Sequence, residues 1–277
     1  TVGTIGEQKR VNYALRADMT KEEFIQEVTD GLLPPPLYFP LNAQLNREGY
    51  ENVEDIIRDA IAYGVNTFEM VANKIDTVIL DVRHQDEYAK GHVPRSIFIG
   101  IDGDFAPWVG ALIPDIKQPI LLITPLGREE ESILRLARVG YDNTLGYLKG
   151  GFDTWKNEGL EYDTVNSVSA VMLEEIVEEA KEENEKVIIF DVRKDYEYEK
   201  EHIEDVSSTP LDNINDHLAE FPKEEEFYLH CAGGYRSMIA ASILKARGYH
   251  NLINVAGGYS AIKKTAIKTI YGIHHSL

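Results

Sequence analysis

The chain of 277 residues contains a single cysteine, Cys231. A lone thiol excludes an intramolecular disulfide, so its use is either packing or chemistry. Cations are also scarce: 28 Lys and Arg stand against 47 Asp and Glu, a formal net charge of −19. That balance argues against binding a nucleic-acid backbone or an anionic membrane. No apolar run approaches the roughly 18 residues of a transmembrane helix. Residues 1–7 lack the basic-then-apolar order of a secretion signal. Few cysteines and no leader fit a reducing, cytoplasmic setting, and a start at Thr1 rather than methionine suggests a fragment of a longer protein. What is present is a globular composition, 43% hydrophobic and 27% charged, enough for one large domain or two of ordinary size. The densest acidic stretch, 174–185, reads as a solvated helix face.

The surroundings of Cys231 favour chemistry over packing. The run Glu226-Phe227-Tyr228-Leu229-His230 before it reads as a buried strand. The run from Ser237 to Arg247 after it reads as a helix closed by Gly248. Between them lie Ala232, Gly233, Gly234, Tyr235 and Arg236, a glycine-rich turn able to direct backbone N–H groups inward. A thiol between a strand end and a helix N-terminus sits in a positive field. Arg236 has two open roles, binding an anionic donor or steadying the loop from outside. Ser237 reads as a helix-start residue offering an N–H or hydroxyl. Strand alternation turns His230 away from the focus of the loop, which favours a structural role over that of a general base.

The chain also repeats itself. Val78-Ile79-Leu80-Asp81-Val82-Arg83 is matched by Ile188-Ile189-Phe190-Asp191-Val192-Arg193, and His92 by His202, each about 110 positions on. Further on, Gly140-Tyr141 pairs with Gly248-Tyr249, and Gly150-Gly151-Phe152 with Gly257-Gly258-Tyr259. A period of that size is a small domain rather than a solenoid repeat. Within each copy short apolar strands alternate with helical patterns, which implies an α/β fold with a mostly parallel sheet flanked by helices. The cysteine loop then lies at the carboxyl end of a strand, where open α/β sheets place their sites. Residues 157–168 read as the linker between copies. Ahead of the repeat, Thr20 and Glu23 form a capping-box pattern for a helix over 20–29, followed by the extended Pro34-Pro35-Pro36.

Asp-Val-Arg, then Glu-Tyr, then Gly/Glu-His, then Gly-Tyr and Gly-Gly-Phe/Tyr, in this order in both copies and with Cys-x4-Arg in the second, resemble the rhodanese family. The resemblance covers about 52–161 and 166–270. It implies two rhodanese-like domains, at 51–161 and 166–277, each with a mostly parallel five-stranded sheet. It also implies a sulfurtransferase in which Cys231 carries sulfane sulfur as a persulfide, cradled by Ala232 through Arg236. Thiosulfate, glutathione persulfide or coenzyme A persulfide are open as donors. The first copy has Ile123 or Thr124 in place of the cysteine and follows Arg128 with Glu129-Glu130-Glu131, which repel anions. It is expected to be inactive, with a structural or docking role. Asp81, Arg83, Asp191 and Arg193 occur in both copies, which favours an ion-pair framework over catalysis and likewise demotes His92 and His202 as metal ligands. A Cys-based phosphatase is the rival enzyme, but its Cys-x5-Arg loop is one residue longer than the loop found here.

Residues 1–50, with Asn12-Tyr13-Ala14-Leu15 and Leu45-Asn46-Arg47-Glu48-Gly49, resemble the tail of a metallo-β-lactamase-fold domain as fused to rhodanese repeats in persulfide dioxygenases. That likeness implies an upstream iron-bearing domain as partner, with small sulfur anions or thiols as the other partners. No metal or cofactor is expected in this chain, His274 and His275 forming no convincing site. A persulfide carrier serving an attached domain without independent turnover is the alternative to an enzyme.

Overall fold

The computed structural model describes residues 3–12, 15, 18–29, 39–49, 52–74 and 76–271. Pro34-Pro35-Pro36, Tyr13, Ala14, His274 and His275 lie outside them. The chain divides into a unit Thr1–Pro36 and a unit Leu37–Leu277. The first unit holds α1 (Ile5–Val11) and α2 (Lys21–Thr29). The expected capping box is present. Glu23 N donates to Thr20 Oγ1 at 3.2 Å, and Thr20 N donates to Glu23 Oε2 at 2.8 Å.

The second unit begins with α3 (Phe39–Glu48), then α4 (Val53–Asp59), β1 (Ile61–Tyr63), α5 (Val65–Ala72), β2 (Val78–Asp81), α6 (Gln85–Lys90), β3 (Ile97–Phe98) and α7 (Phe105–Leu112). There follow β4 (Ile120–Ile123), α8 (Glu129–Ala137), β5 (Thr144–Leu148), α9 (Gly151–Asn157), β6 (Asn166–Val168), α10 (Ala170–Glu183), β7 (Ile189–Asp191), α11 (Asp195–Lys200), β8 (Glu201–Ile203) and β9 (Ser207–Ser208). The chain closes with β10 (Phe227–His230), α12 (Tyr235–Ala246), β11 (Leu252–Val255), α13 (Gly258–Ile262) and β12 (Thr269–Tyr271).

Two five-stranded sheets result, in the orders β1-β5-β4-β2-β3 and β6-β11-β10-β7-β9. Every strand pair within them is parallel. This is the repeat in three dimensions, two lobes with the same strand order. The central strand β4 is buried along its whole length, as a parallel strand covered by helices on both faces must be. A part of the expected linker becomes structure: β6 adds an edge strand to the second sheet, and Asp163 exchanges backbone hydrogen bonds with His92 at 2.9 Å. Helix α3 belongs to the second unit rather than to the first, and Leu45 packs against the first lobe's core.

The lobes share a core through α12. Its Ser242 Oγ accepts a hydrogen bond from Phe98 N at 2.9 Å. Phe98 lies on β3, an edge strand whose outward N–H would otherwise lack a partner. Ile239 and Ile243 of α12 belong to the same buried cluster as Phe98, Ile99 and Ile101.

The repeated Asp-Arg and His residues form the framework inside each lobe. Arg83 Nη2 lies 2.6 Å from Asp81 Oδ2 and donates to Gly91 O at 2.8 Å. Arg193 Nη2 lies 2.6 Å from Asp191 Oδ2 and donates to Glu201 O at 2.7 Å. Each guanidinium covers an aromatic ring, Phe152 at 4.4 Å and Tyr259 at 4.0 Å. His92 stacks on Tyr88 at 3.9 Å and His202 on Tyr198 at 3.8 Å, with each Nδ1 against the carbonyl four residues back.

Burial pulls His92 from an ordinary 6.5 down to about 4, overriding its bond to the Tyr88 carbonyl. Between these two values the unfolded chain holds a proton that the folded chain does not, so this group's contribution falls as the pH drops. The expected loss from this residue is about 2 kcal/mol at pH 5. Urea unfolding at pH 7 and pH 5 measures it, with a shallower pH dependence expected in His92→Gln.

Candidate functional site

The strand before the cysteine ends at His230, which pairs with Asp191 of β7, while Ile123 pairs with Asp81 in the first lobe. This register resolves the alignment of the copies: Ile123 corresponds to His230, and Thr124 to Cys231. Both residues after these strands are buried, Cys231 at 1% exposure and Thr124 at 2%.

Helix α13 shapes the loop from below. Tyr259 N donates to Cys231 O at 2.6 Å, and Ser260 N to Ala232 O at 3.0 Å. The carbonyls of Cys231 and Ala232 are thereby drawn onto a helix N-terminus, away from the thiol. Gly258 makes this approach possible, because a Cβ there would stand 2.3 Å from Cys231 O and 2.9 Å from Gly233 N. On the other side Gly234 has φ of 105°, a left-handed conformation that favours glycine, and its N–H donates to Cys231 Sγ at 3.1 Å. Gly233 is exposed, and open space lies where its Cβ would be. The sulfur is therefore shielded by the fold, while Gly233 beside it is exposed.

The residues after Gly234 divide their roles differently from the sequence reading. Helix α12 starts at Tyr235, so Ser237 stands inside its first turn rather than at its start. The Ser237 hydroxyl is buried, donating to Asn254 Oδ1 at 2.7 Å and lying 3.2 Å from Gly234 O. Tyr235 leaves the loop altogether: its hydroxyl donates to Gly100 O of the first lobe at 2.8 Å, and its ring packs edge-on against Phe98. Gly103 leaves space for that ring, since a Cβ there would come within 2.3 Å of it. The cysteine-free lobe thus holds the first residue of α12.

Arg236 is paired with a carboxylate. It makes two hydrogen bonds to Glu197, at 2.5 and 2.9 Å. Burial opposes its charge, but Glu197 and the nearby Cys231 sulfur hold its pKa above the usual guanidinium value. The same bonds hold the Glu197 carboxyl below its ordinary range. Glu197 also accepts from Lys194 N at 3.2 Å, joining α11 to the site. Sequence reading missed this residue. Its only signal was Glu87 at the matching place in the first copy, where Arg128 pairs instead with Asp102 and Glu131.

His230 is turned away, as strand alternation requires. Its ring is fully buried against Tyr259, and Nε2 lies 3.9 Å from Asp191 Oδ2. Burial lowers its pKa, which leaves a neutral imidazole in the framework. Among the described residues no helix is long and apolar enough to cross a membrane, and no three His, Cys, Asp or Glu side chains gather as a metal site would require.

The model of one protein family, described as a rhodanese-like domain, matches residues 67–158 and 173–265. Among curated proteins, the putative sulfur carrier protein YrkF of Bacillus subtilis is 33% identical over 96 residues, 35% of this chain and 51% of that one. The chain thus spans about half the length of that relative. A sulfurtransferase of Allochromatium vinosum is 30% identical over 79 residues, covering 28% of this chain and 74% of that one. A solved rhodanese-like domain protein from Staphylococcus aureus shares 33% identity over 38% of this chain and 97% of that chain, with a TM-score of 0.33. A thiosulfate sulfurtransferase from Pseudomonas aeruginosa shares 21% identity over 77% of this chain and 44% of that chain, with a TM-score of 0.34.

Proposed function

Since the chain belongs to the rhodanese-like domain family, its model matching two segments that together span most of the sequence, we propose that it is a sulfurtransferase working through a persulfide on Cys231. The observation that carries this reading is the loop itself: the one thiol of the chain receives the Gly234 N–H at 3.1 Å, at a strand end, with Arg236 in the next helical turn. The Cys231 thiolate attacks the outer sulfur of a donor such as thiosulfate. A new Sγ–S bond forms, the donor's S–S bond breaks, and sulfite leaves with the electron pair. A thiophilic acceptor then attacks the terminal sulfur of the persulfide, and the thiolate of Cys231 leaves with the pair. The Gly234 N–H favours the Cys231 thiolate, both as nucleophile and as leaving group. Arg236, neutralised by Glu197, acts by holding the loop in shape rather than as a free cation for the donor.

The relatives' names support transfer or carriage of sulfur in this family, one being called a sulfurtransferase and another a sulfur carrier. The first lobe has Thr124 where the second has Cys231, and we assign it the role of a docking partner for α12. The likeness of residues 1–50 to a metallo-β-lactamase-domain tail makes a low-molecular-weight persulfide a donor to test beside thiosulfate. The test is mass analysis of the protein after incubation with either donor. A gain of one sulfur atom on the peptide bearing Cys231, lost on adding cyanide or a thiol and renewed with turnover, is the expected result. Loading without turnover favours the carrier, and no loading by either donor removes the reading.

A further inference from the structure

A second candidate site lies at the far end of α12 from the cysteine loop. A cavity of about 320 Å³ opens between the lobes, near the starts of β2 and β4 and beside the last residues of α12. Its lining is mainly aliphatic, including Ile79, Ile97, Leu112 and Ile243, and it contains Arg95 and Arg247 but no Asp or Glu. In a chain with 47 acidic residues, an acid-free wall with two arginines is a local inversion of charge.

The arginines are held without being neutralised. Arg95 donates to Asn73 Oδ1 at 2.8 Å. Arg247 donates to Asn215 Oδ1 at 2.7 Å and to Ile243 O at 3.2 Å. Elsewhere Arg83, Arg128, Arg193 and Arg236 each grip a carboxylate. Among the described residues neither cavity arginine has an ion-pair partner. Partial burial lowers the pKa of Arg247, with only Tyr249 opposing it. A neutral asparagine fixes the direction of a guanidinium while leaving its charge and most of its five donors free. Nor are these residues part of the repeated frame. Arg247 matches Val139 in the first copy, and Arg95 matches Asp205 in the second. Both are exposed, so a ligand meets them from solvent.

We propose that this cavity binds a small organic anion, its carboxylate, sulfonate or phosphate held by Arg95 and Arg247 and its apolar body against the aliphatic wall. The site is separate from the sulfur site, because α12, roughly 18 Å long at 1.5 Å per residue, lies between Arg247 and Tyr235. Isothermal titration of the full chain with benzoate, benzenesulfonate and phenyl phosphate tests it, with inorganic sulfate as the probe lacking an apolar body. Saturable binding of at least one aromatic anion is expected, stronger than that of sulfate. It should weaken about tenfold in Arg95→Gln and in Arg247→Gln and disappear in the double variant. Arg95→Lys and Arg247→Lys, which keep the charge without the fork, should fall between, and melting curves of the unliganded variants check folding. Cys231→Ser and Arg236→Gln should bind as the parent does. No saturable binding, binding that survives the double variant, or binding lost in Arg236→Gln overturns the assignment.

Discussion

Cys231→Ser is expected to reduce sulfur transfer to background, a loss of about a thousandfold or more, while the fold remains. Serine keeps an acceptor for the Gly234 N–H, which lies 3.1 Å from Sγ in the parent. The first lobe shows that a hydroxyl is tolerated at this place, since Thr124 occupies the matching buried position at the end of β4. The hydroxyl does not ionise near neutral pH, however, and cannot hold sulfane sulfur. Thiocyanate formation from thiosulfate and cyanide measures the rate, and urea unfolding should show a change within about 1 kcal/mol. A variant that retains the parent rate takes Cys231 out of the mechanism.

Asp191→Ala should do the reverse, removing stability first and activity with it. Asp191 is fully buried, and Arg193 is 5% exposed. Truncating the acid leaves a buried guanidinium with the Glu201 carbonyl and the Tyr259 ring as its partners. Breaking a buried pair from one side costs about 3–5 kcal/mol, a large part of the roughly 5–15 kcal/mol that holds a domain together. The same ring carries the strain to the site, because the Tyr259 N–H holds Cys231 O at 2.6 Å. Urea unfolding should therefore show a lower midpoint, and the folded fraction should load sulfur more slowly. Asp191→Asn, which keeps an acceptor for Arg193, should lose less. A cost near zero would mean that Arg193 finds another partner.

Much of the fold was legible because its signals are local. Short apolar runs ending in Asp-Val-Arg, helical patterns between them and a Gly-Gly pair near the end of each copy occur twice, and each copy folds into the same strand order. The backbone of the cysteine loop was legible in part. Gly234 adopts the left-handed turn that a glycine-rich loop suggested, and His230 points away as alternation required. The alignment of Thr124 with Cys231 was not, because the loop of the first copy is one residue shorter and only strand register resolves the ambiguity. Tyr235 read as part of the cradle because it stands between Gly234 and Arg236. Its partner, Gly100, lies 135 positions away in the other lobe.

From the sequence alone came the two copies, the single thiol and its place between a strand and a helix, since hydrophobic period and glycine placement act over a few residues. The tertiary structure decided which partner each polar side chain takes. It gave Arg236 to Glu197, Ser237 to Asn254, Tyr235 to the cysteine-free lobe, and left Arg95 and Arg247 to neutral asparagines. Those choices depend on which strands and helices become neighbours. A charge or hydroxyl pairs with what packing brings within about 3 Å, however far apart the two stand along the chain.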